Sequence, residues 1–217
     1  MSIPFYKTLL SYILPLRIEK SSTDGVSYEL QLYQNQWMML APQAMYSYGQ
    51  RYRPFTFCLK QIKNEIPRLQ NFLLLGAGLG SALQILQKRY HHFPETLMVD
   101  HFPIAIMWSQ QYMQLNSRGN VKWKHADAIH FLQNATQPFD LLGVDLFSDL
   151  DMPDTVSNPD FIEQCHQILT PNGIALFNTI FQQLGMESAF ETNLQNHFSQ
   201  VQKWKDGINT YFVCRKN

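Results

Sequence analysis

The sequence predicts an α/β fold: a doubly wound, mostly parallel sheet that ends in an antiparallel hairpin and is preceded by a small N-terminal β-domain. Three observations predict it. Strand-like and helix-like patterns alternate from residue 71 onward, which implies right-handed crossovers. A glycine-rich loop follows the first strand of that series. Near the end of the chain, Asp206-Gly207 stands between two strand-like runs and marks a hairpin, slightly long for a two-residue turn.

The chain has 217 residues, which accommodates one sizeable domain with a small appendage, divided here as 1–60 and 61–217. In the first part, 17–20 and 27–33 flank the turn signal Asp24-Gly25. Tyr28, Leu30 and Leu32 alternate with polar neighbours, the period of a half-buried strand. Gln34-Asn35-Gln36 then turns the chain into a strand over 37–40. The aromatic-rich stretch 46–62 reads as partly helical despite Pro54.

In the second part, Phe72-Leu73-Leu74-Leu75 is a continuous apolar run, as expected of a strand buried on both faces of a parallel sheet. Helical patterns over 81–90, 102–115, 128–133 and 160–169 alternate with strands over 96–99, 121–123, 139–144 and 174–178. The hairpin strands are expected over 201–204 and 210–214.

Hydrophobic residues make up 45% and charged residues 16%, the composition of a globular protein with a real core. Seventeen basic and 17 acidic residues balance to zero formal charge, which speaks against a nucleic-acid partner, since such affinity comes largely from neutralised phosphates. Cys58, Cys165 and Cys214 are far apart and odd in number, so neither a disulfide framework nor a zinc site is expected, and a reducing cytoplasm is the default. The apolar stretch 8–16 is interrupted by Pro15 and falls well short of the ~20 residues of a membrane helix, so no membrane association is expected. His91-His92 has no partner at ligand spacing, and no metal site is expected.

Gly76-Ala77-Gly78-Leu79-Gly80-Ser81 lies where ligands of open α/β sheets bind, at the carboxyl end of a strand beside the switch in strand order. Glycine is required there because a Cβ would block backbone approach to the ligand. Asp100, 24 positions after Gly76, ends the next strand and can accept hydrogen bonds from two ribose hydroxyls. It can also cap the helix that Pro103 opens, a role compatible with the first. A dinucleotide fingerprint asks for Gly or Ala where Ser81 stands, and a dinucleotide domain more often continues in parallel strands than ends in a hairpin.

The loop, the five strands and the terminal hairpin resemble the Rossmann-like fold of class I S-adenosylmethionine-dependent methyltransferases. Asn120-Val121-Lys122-Trp123-Lys124-His125-Ala126-Asp127-Ala128 and Phe139-Asp140-Leu141-Leu142-Gly143-Val144-Asp145 are similar to the spermidine synthase superfamily. The continuation through Leu146-Phe147-Ser148-Asp149 to Leu169-Thr170-Pro171-Asn172-Gly173 is similar as well. The resemblance implies an S-adenosylmethionine or decarboxylated S-adenosylmethionine site. In it Asp100 holds the ribose, Asp127 accepts from the adenine amino group, and Gly76, Ala77, Gly78, Leu79 and Gly80 pass under the sugar and tail. Without the resemblance, Asp127 is a ligand-facing carboxylate or a turn residue.

Asp145 matches the carboxylate that orients and deprotonates an attacking amine, with Asp149 supplying further negative charge; Asp149 and Asp151 can also simply cap loops. Tyr46, Tyr48, Gln50 and Tyr52 fall where the family's substrate-gating segment joins the nucleotide domain, and either line an acceptor pocket or cover the sheet edge. Spermidine synthases carry an Asp where this chain has Leu79, and a D-x-x-D run where it has the longer Asp145 to Asp149. The expected function is therefore methyl transfer to a small acceptor, with aminopropyl transfer to a diamine or non-catalytic nucleoside binding as alternatives. The partners expected are a small-molecule acceptor such as an amine and a second copy of the chain in a homodimer.

Overall fold

The computed structural model describes residues 3–23, 25–113, 115, 120–147 and 152–217. A short helix α1 (Phe5–Ser11) leads into an antiparallel meander of β1 (Leu16–Thr23), β2 (Val26–Tyr33), β3 (Gln36–Leu40) and β4 (Met45–Tyr48). In β2 the alternation read from sequence becomes alternating burial, with Tyr28, Leu30 and Leu32 inside. The stretch expected to be partly helical divides in two. Ser47 is buried between Tyr46 and Tyr48, so 45–48 pairs with β3 as a strand; the helix α2 (Arg53–Gln61) starts only after a 3-10 turn at Gly49–Arg51. Pro54 sits in the first turn of α2, where its missing N–H costs nothing.

The large sheet contains β5 (Asn71–Leu75), β6 (Glu95–Asp100), β7 (Val121–His125), β8 (Phe139–Val144), β9 (Leu169–Ile180), β10 (Gln200–Asp206) and β11 (Asn209–Arg215). Its order is β10-β11-β9-β8-β5-β6-β7; β7 to β9 run parallel, and β11 enters antiparallel between β9 and β10. Asp206 pairs with Asn209, so the hairpin loop is two residues, tighter than the sequence suggests, with Gly207 at φ +63° taking the left-handed place.

Alternate residues of β5 point to opposite faces. Phe72 and Leu74 join one core with α2, α3 (Ser81–Arg89), α4 (Pro103–Tyr112) and the small sheet. Leu73 and Leu75 join a second core with α5 (Ala128–Asn134), α6 (Pro159–Gln167) and α7 (Met186–His197), a helix with no counterpart in the sequence reading. Both faces are covered, which is why β5 reads as an unbroken apolar run. Phe55 of α2 lies over Gly143 of β8, where a Cβ would fall 3.0 Å from its ring.

The small sheet is tied to the large one through Glu19 of β1, which accepts from the Trp108 indole at 2.7 Å and from the Tyr112 hydroxyl, both on α4. Asp140 is engaged within the fold: its oxygens accept from the Gln70 and Asn71 amides at 2.9 and 3.0 Å and from the Thr170 hydroxyl at 2.9 Å, fixing the amino ends of β5 and β9. Among the described residues, no helix is long and apolar enough to cross a membrane, and no group of three His, Cys, Asp or Glu is placed to hold a metal.

Candidate functional site

From β5 the chain builds outward to β6 and β7, then returns to place β8 on the other side of β5. The loops after β5 and β8 therefore diverge at the carboxyl edge and leave a crevice, the expected ligand position in such a sheet. A cavity of about 620 Å³ opens there, within the ordinary range for small-molecule sites. Gly76, Gly78, Asp100, Asp127 and Asp145 line it from below, and Tyr46, Tyr48 and Tyr52 from the side of the small sheet.

The glycine loop is compact because its amides are consumed internally. Gly76 and Ala77 donate to the Val99 carbonyl, Gly78 to Asp100 Oδ2 at 2.8 Å, Leu79 to Ser47 Oγ at 2.8 Å, and Gly80 to the Ala77 carbonyl. No amide from 76 to 80 is left to point at a ligand. A Cβ on Gly76 (φ +74°) would lie 2.1 Å from the Asp145 carbonyl oxygen, and one on Gly78 (φ +50°) 2.5 Å from Ser47 Oγ. The tight packing of loop, β4 and the end of β8 requires glycine at both positions. Of the five loop residues expected to hold the nucleoside, the structure brings Gly76 and Gly78 to the cavity wall. Ala77 and Leu79 are buried in the core, Leu79 completely, and a Cβ on Gly80 would meet Leu115 and Met98.

Asp100, 6% exposed, faces the cavity while its oxygens accept from the Gly78 amide and from the Phe102 amide at 2.9 Å. Burial raises its carboxyl above the ordinary value, against the pull of those backbone donors. It is a loop clamp as well as a cavity carboxylate. Asp127 caps α5: Oδ1 accepts from the Ile129 and His130 amides at 3.0 and 2.9 Å, and the residue lines the cavity from the end of β7. Asp127 thus takes the turn-and-cap role that the sequence offered, and stands at the cavity wall as it does so.

Asp145 follows the last residue of β8, its amide donating to the Leu75 carbonyl at 2.9 Å. Asn178 Nδ2 of β9 donates to its Oδ1 at 2.7 Å, and the Tyr52 hydroxyl donates to it from above. Burial pushes the Asp145 carboxyl up to about 6, opposed by these two donors and aided by the charge of Asp100. The same carboxylate, together with burial, holds the Tyr52 phenol well above its usual range. Asn178 is itself oriented, because Asn209 Nδ2 of β11 donates to its Oδ1 at 2.8 Å.

Asp149 and Asp151 lie outside the described residues. Gln50 is not at the cavity wall: its amide donates to Gln36 Oε1 at 3.0 Å and its carbonyl accepts from Arg89, so it builds the 3-10 turn. Sequence reasoning missed Ser47, Asn178, Phe102 and Arg51. Ser47 and Asn178 carry no motif and become visible only once β4 and β9 are placed; Phe102, packed on Tyr46 with ring centroids 5.9 Å apart, reads in sequence only as a helix start.

No protein-family model matches the sequence. The chain is 23% identical over 168 residues to a polyamine aminopropyltransferase of Escherichia fergusonii, covering 72% of this chain and 58% of that protein's length. It superposes on a probable spermidine synthase from Corynebacterium glutamicum with a TM-score of 0.73 at 15% identity, covering 91% of this chain and 79% of the other. On human methyltransferase-like protein 13 in complex with SAH the TM-score is 0.62 at 18% identity, covering 77% and 82%. The structural likenesses establish a Rossmann-like methyltransferase fold, and the sequence match makes the chain similar to polyamine aminopropyltransferases.

Proposed function

We propose that this spermidine synthase-like chain is a transferase that binds an adenosyl sulfonium donor and passes an alkyl group, a methyl in our reading, to a small acceptor such as an amine. The observation that carries this is the sealed glycine loop beside three cavity carboxylates, Asp100, Asp127 and Asp145. A pyrophosphate needs free amides and positive charge at such a loop. A cationic nucleoside needs neither, and gains from carboxylates. In this reading Asp127 Oδ2 accepts from the adenine amino group, Asp100 receives the ribose, and Phe102 and Ile129 supply apolar faces for the base.

The transfer itself is an in-line displacement. The acceptor's lone pair forms a bond to the sulfonium carbon, the carbon–sulfur bond breaks, and its electron pair returns to sulfur as a neutral thioether. Positioning supplies most of the acceleration. An ammonium is not nucleophilic, so the acceptor's proton must go to a nearby base; Asp145, largely ionised at neutral pH with a carboxyl near 6, is suited to take it. Tyr52 and Asn178 fix that carboxylate at the boundary between the nucleoside half of the cavity and the half lined by Ile180, Ile208 and Asn209.

Aminopropyl transfer from decarboxylated S-adenosylmethionine is the second reading, favoured by the name of the curated relative. The chain spans 58% of that relative's length. For methyl transfer stands Leu79, completely buried where the superfamily's loop acid would serve an amine tail. Purified protein incubated with each donor and a panel of amines, followed by mass spectrometry of the products, tests the proposal. Methylated acceptors support it, aminopropylated ones replace it with the second reading, and failure to bind either donor removes both. A homodimer belongs to the same reading, supported by exposed Phe5, Tyr6 and Ile13 at the N-terminal end, with sedimentation velocity as its check.

A further inference from the structure

Arg51 has no task in the reading above. It lines the cavity at the end of the 3-10 turn, its guanidinium carbon 6.0 Å from the centroid of the Tyr48 ring. Two residues on, Arg53 also lines the cavity but is neutralised by Asp206 at 2.7 Å. Among the described residues no carboxylate forms an ion pair with Arg51. A cavity that carries the three carboxylates Asp100, Asp127 and Asp145 thus also holds a cation whose charge no described carboxylate matches.

Its chain neighbours show which part of the cavity wall it belongs to. Tyr46 and Ser47, just before it, rest on Gly78 and Leu79; Tyr52, just after it, reaches Asp145. Arg51 therefore belongs to the rim over the glycine loop and the end of β8. Asp127 stands at the end of β7, three strands away in the order β7-β6-β5-β8, roughly 14 Å at the usual strand spacing. A nucleoside anchored by its base at Asp127 and its ribose at Asp100 sends its sulfonium tail across Gly76 toward this rim.

We infer that Arg51 receives the α-carboxylate of the donor's methionine tail and so selects S-adenosylmethionine over its decarboxylated form. The inference rests on the adenosyl reading above and names the donor within it. Guanidinium and carboxylate make a charge-assisted pair with two parallel hydrogen bonds. A decarboxylated tail brings only its ammonium, which gains nothing from a guanidinium and is repelled by it.

The test is calorimetry with two neutral-sulfur probes, S-adenosylhomocysteine, which keeps the α-carboxylate, and decarboxylated S-adenosylhomocysteine, which lacks it. Wild-type protein should prefer the first by about 10-fold or more. Arg51→Gln should weaken that compound alone by about 10- to 100-fold and leave the decarboxylated one unchanged or tighter. Arg51→Lys should recover part of the preference. Equal losses for both probes in Arg51→Gln, or no loss for either, overturn the assignment while leaving nucleoside binding intact. Absence of binding of both probes to the wild type overturns the adenosyl reading and this inference together.

Discussion

Replacing Asp145 with Asn should make the protein more stable at neutral pH and nearly inactive, with a pH dependence that identifies the cause. The folded carboxyl is raised to about 6 from an ordinary 3.8 by burial. Between those values the folded chain still holds a proton that the unfolded chain has released. Stability of the wild type therefore falls as pH rises through that window, and the penalty is complete above it. Roughly two units at about 1.4 kcal/mol each give about 3 kcal/mol as an upper figure. Solvent at the partly open cavity reduces this to about 1–2 kcal/mol. Asn can still accept from Asn178 through its oxygen and donate to the Tyr52 oxygen through its amide, so the variant carries no penalty from ionisation. Urea denaturation of both proteins from about pH 4 to pH 8 gives the difference curve. It should start near zero, rise through pH 4–6 and level off. Asp100 shifts in the same direction in both proteins and cancels to first order. Turnover should drop about 10²- to 10⁴-fold, the range of a lost general base. A variant no more stable than wild type at pH 8 would refute the burial argument, and one that keeps full turnover would refute the role as base.

Three further outcomes follow from the same geometry. Tyr52→Phe removes a donor that holds the Asp145 carboxyl down, so the acid limb of kcat/KM should move to higher pH by about half a unit to one unit; an unmoved limb contradicts the contact. Asp127→Asn keeps the oxygen that caps α5 but puts a donor where the adenine amino group must donate. Adenosyl affinity should fall about 10-fold with little change in Tm, whereas Asp127→Ala should also cost about 1 kcal/mol of stability. Gly76→Ala forces a Cβ to 2.1 Å from the Asp145 carbonyl and should destabilise by about 3 kcal/mol or more in urea. Gly185→Ala, at φ +89° with nothing within 4 Å of the added Cβ, should cost only the backbone strain of about 1–2 kcal/mol. Equal losses in the two glycine variants would mean that the overlap at Gly76 is relieved elsewhere.

The large sheet was legible because its signals are local. A strand buried on both faces must be apolar throughout, a crevice loop must be glycine-rich, and a hairpin announces itself through a turn residue. Asp100, Asp127 and Asp145 were legible for the same reason, each standing at or just past the end of a strand the pattern already located. The segment 45–52 was not, since Tyr-Ser-Tyr carries no more strand signal than helix signal until β3 lies beside it. Asn178 was illegible because its partners, Asp145 and Asn209, are 33 and 31 positions away and meet it only through strand order. Leu79 could be read as a missing acid; that its side chain turns into the core follows from packing, not from the loop motif.

These misses share a direction. The residues that sequence reasoning undervalued either come from the chain ahead of the large sheet or are oriented across it, and together they turn a nucleotide-fold crevice into a specific site. Ser47 takes the Leu79 amide that a phosphate would otherwise claim, Asn178 joins Tyr52, which the sequence did single out, in holding the Asp145 carboxylate, and Arg51 brings a cation unmatched among the described residues. The glycine loop supplies close approach, while β4 and the turn after it decide what approaches. A loop with free amides would favour anions on any crevice of this kind. On the proposed reading, the same loop with its amides sealed and three carboxylates beside it receives a positively charged sulfur, and discrimination between donors passes to the charge at the far end of the tail.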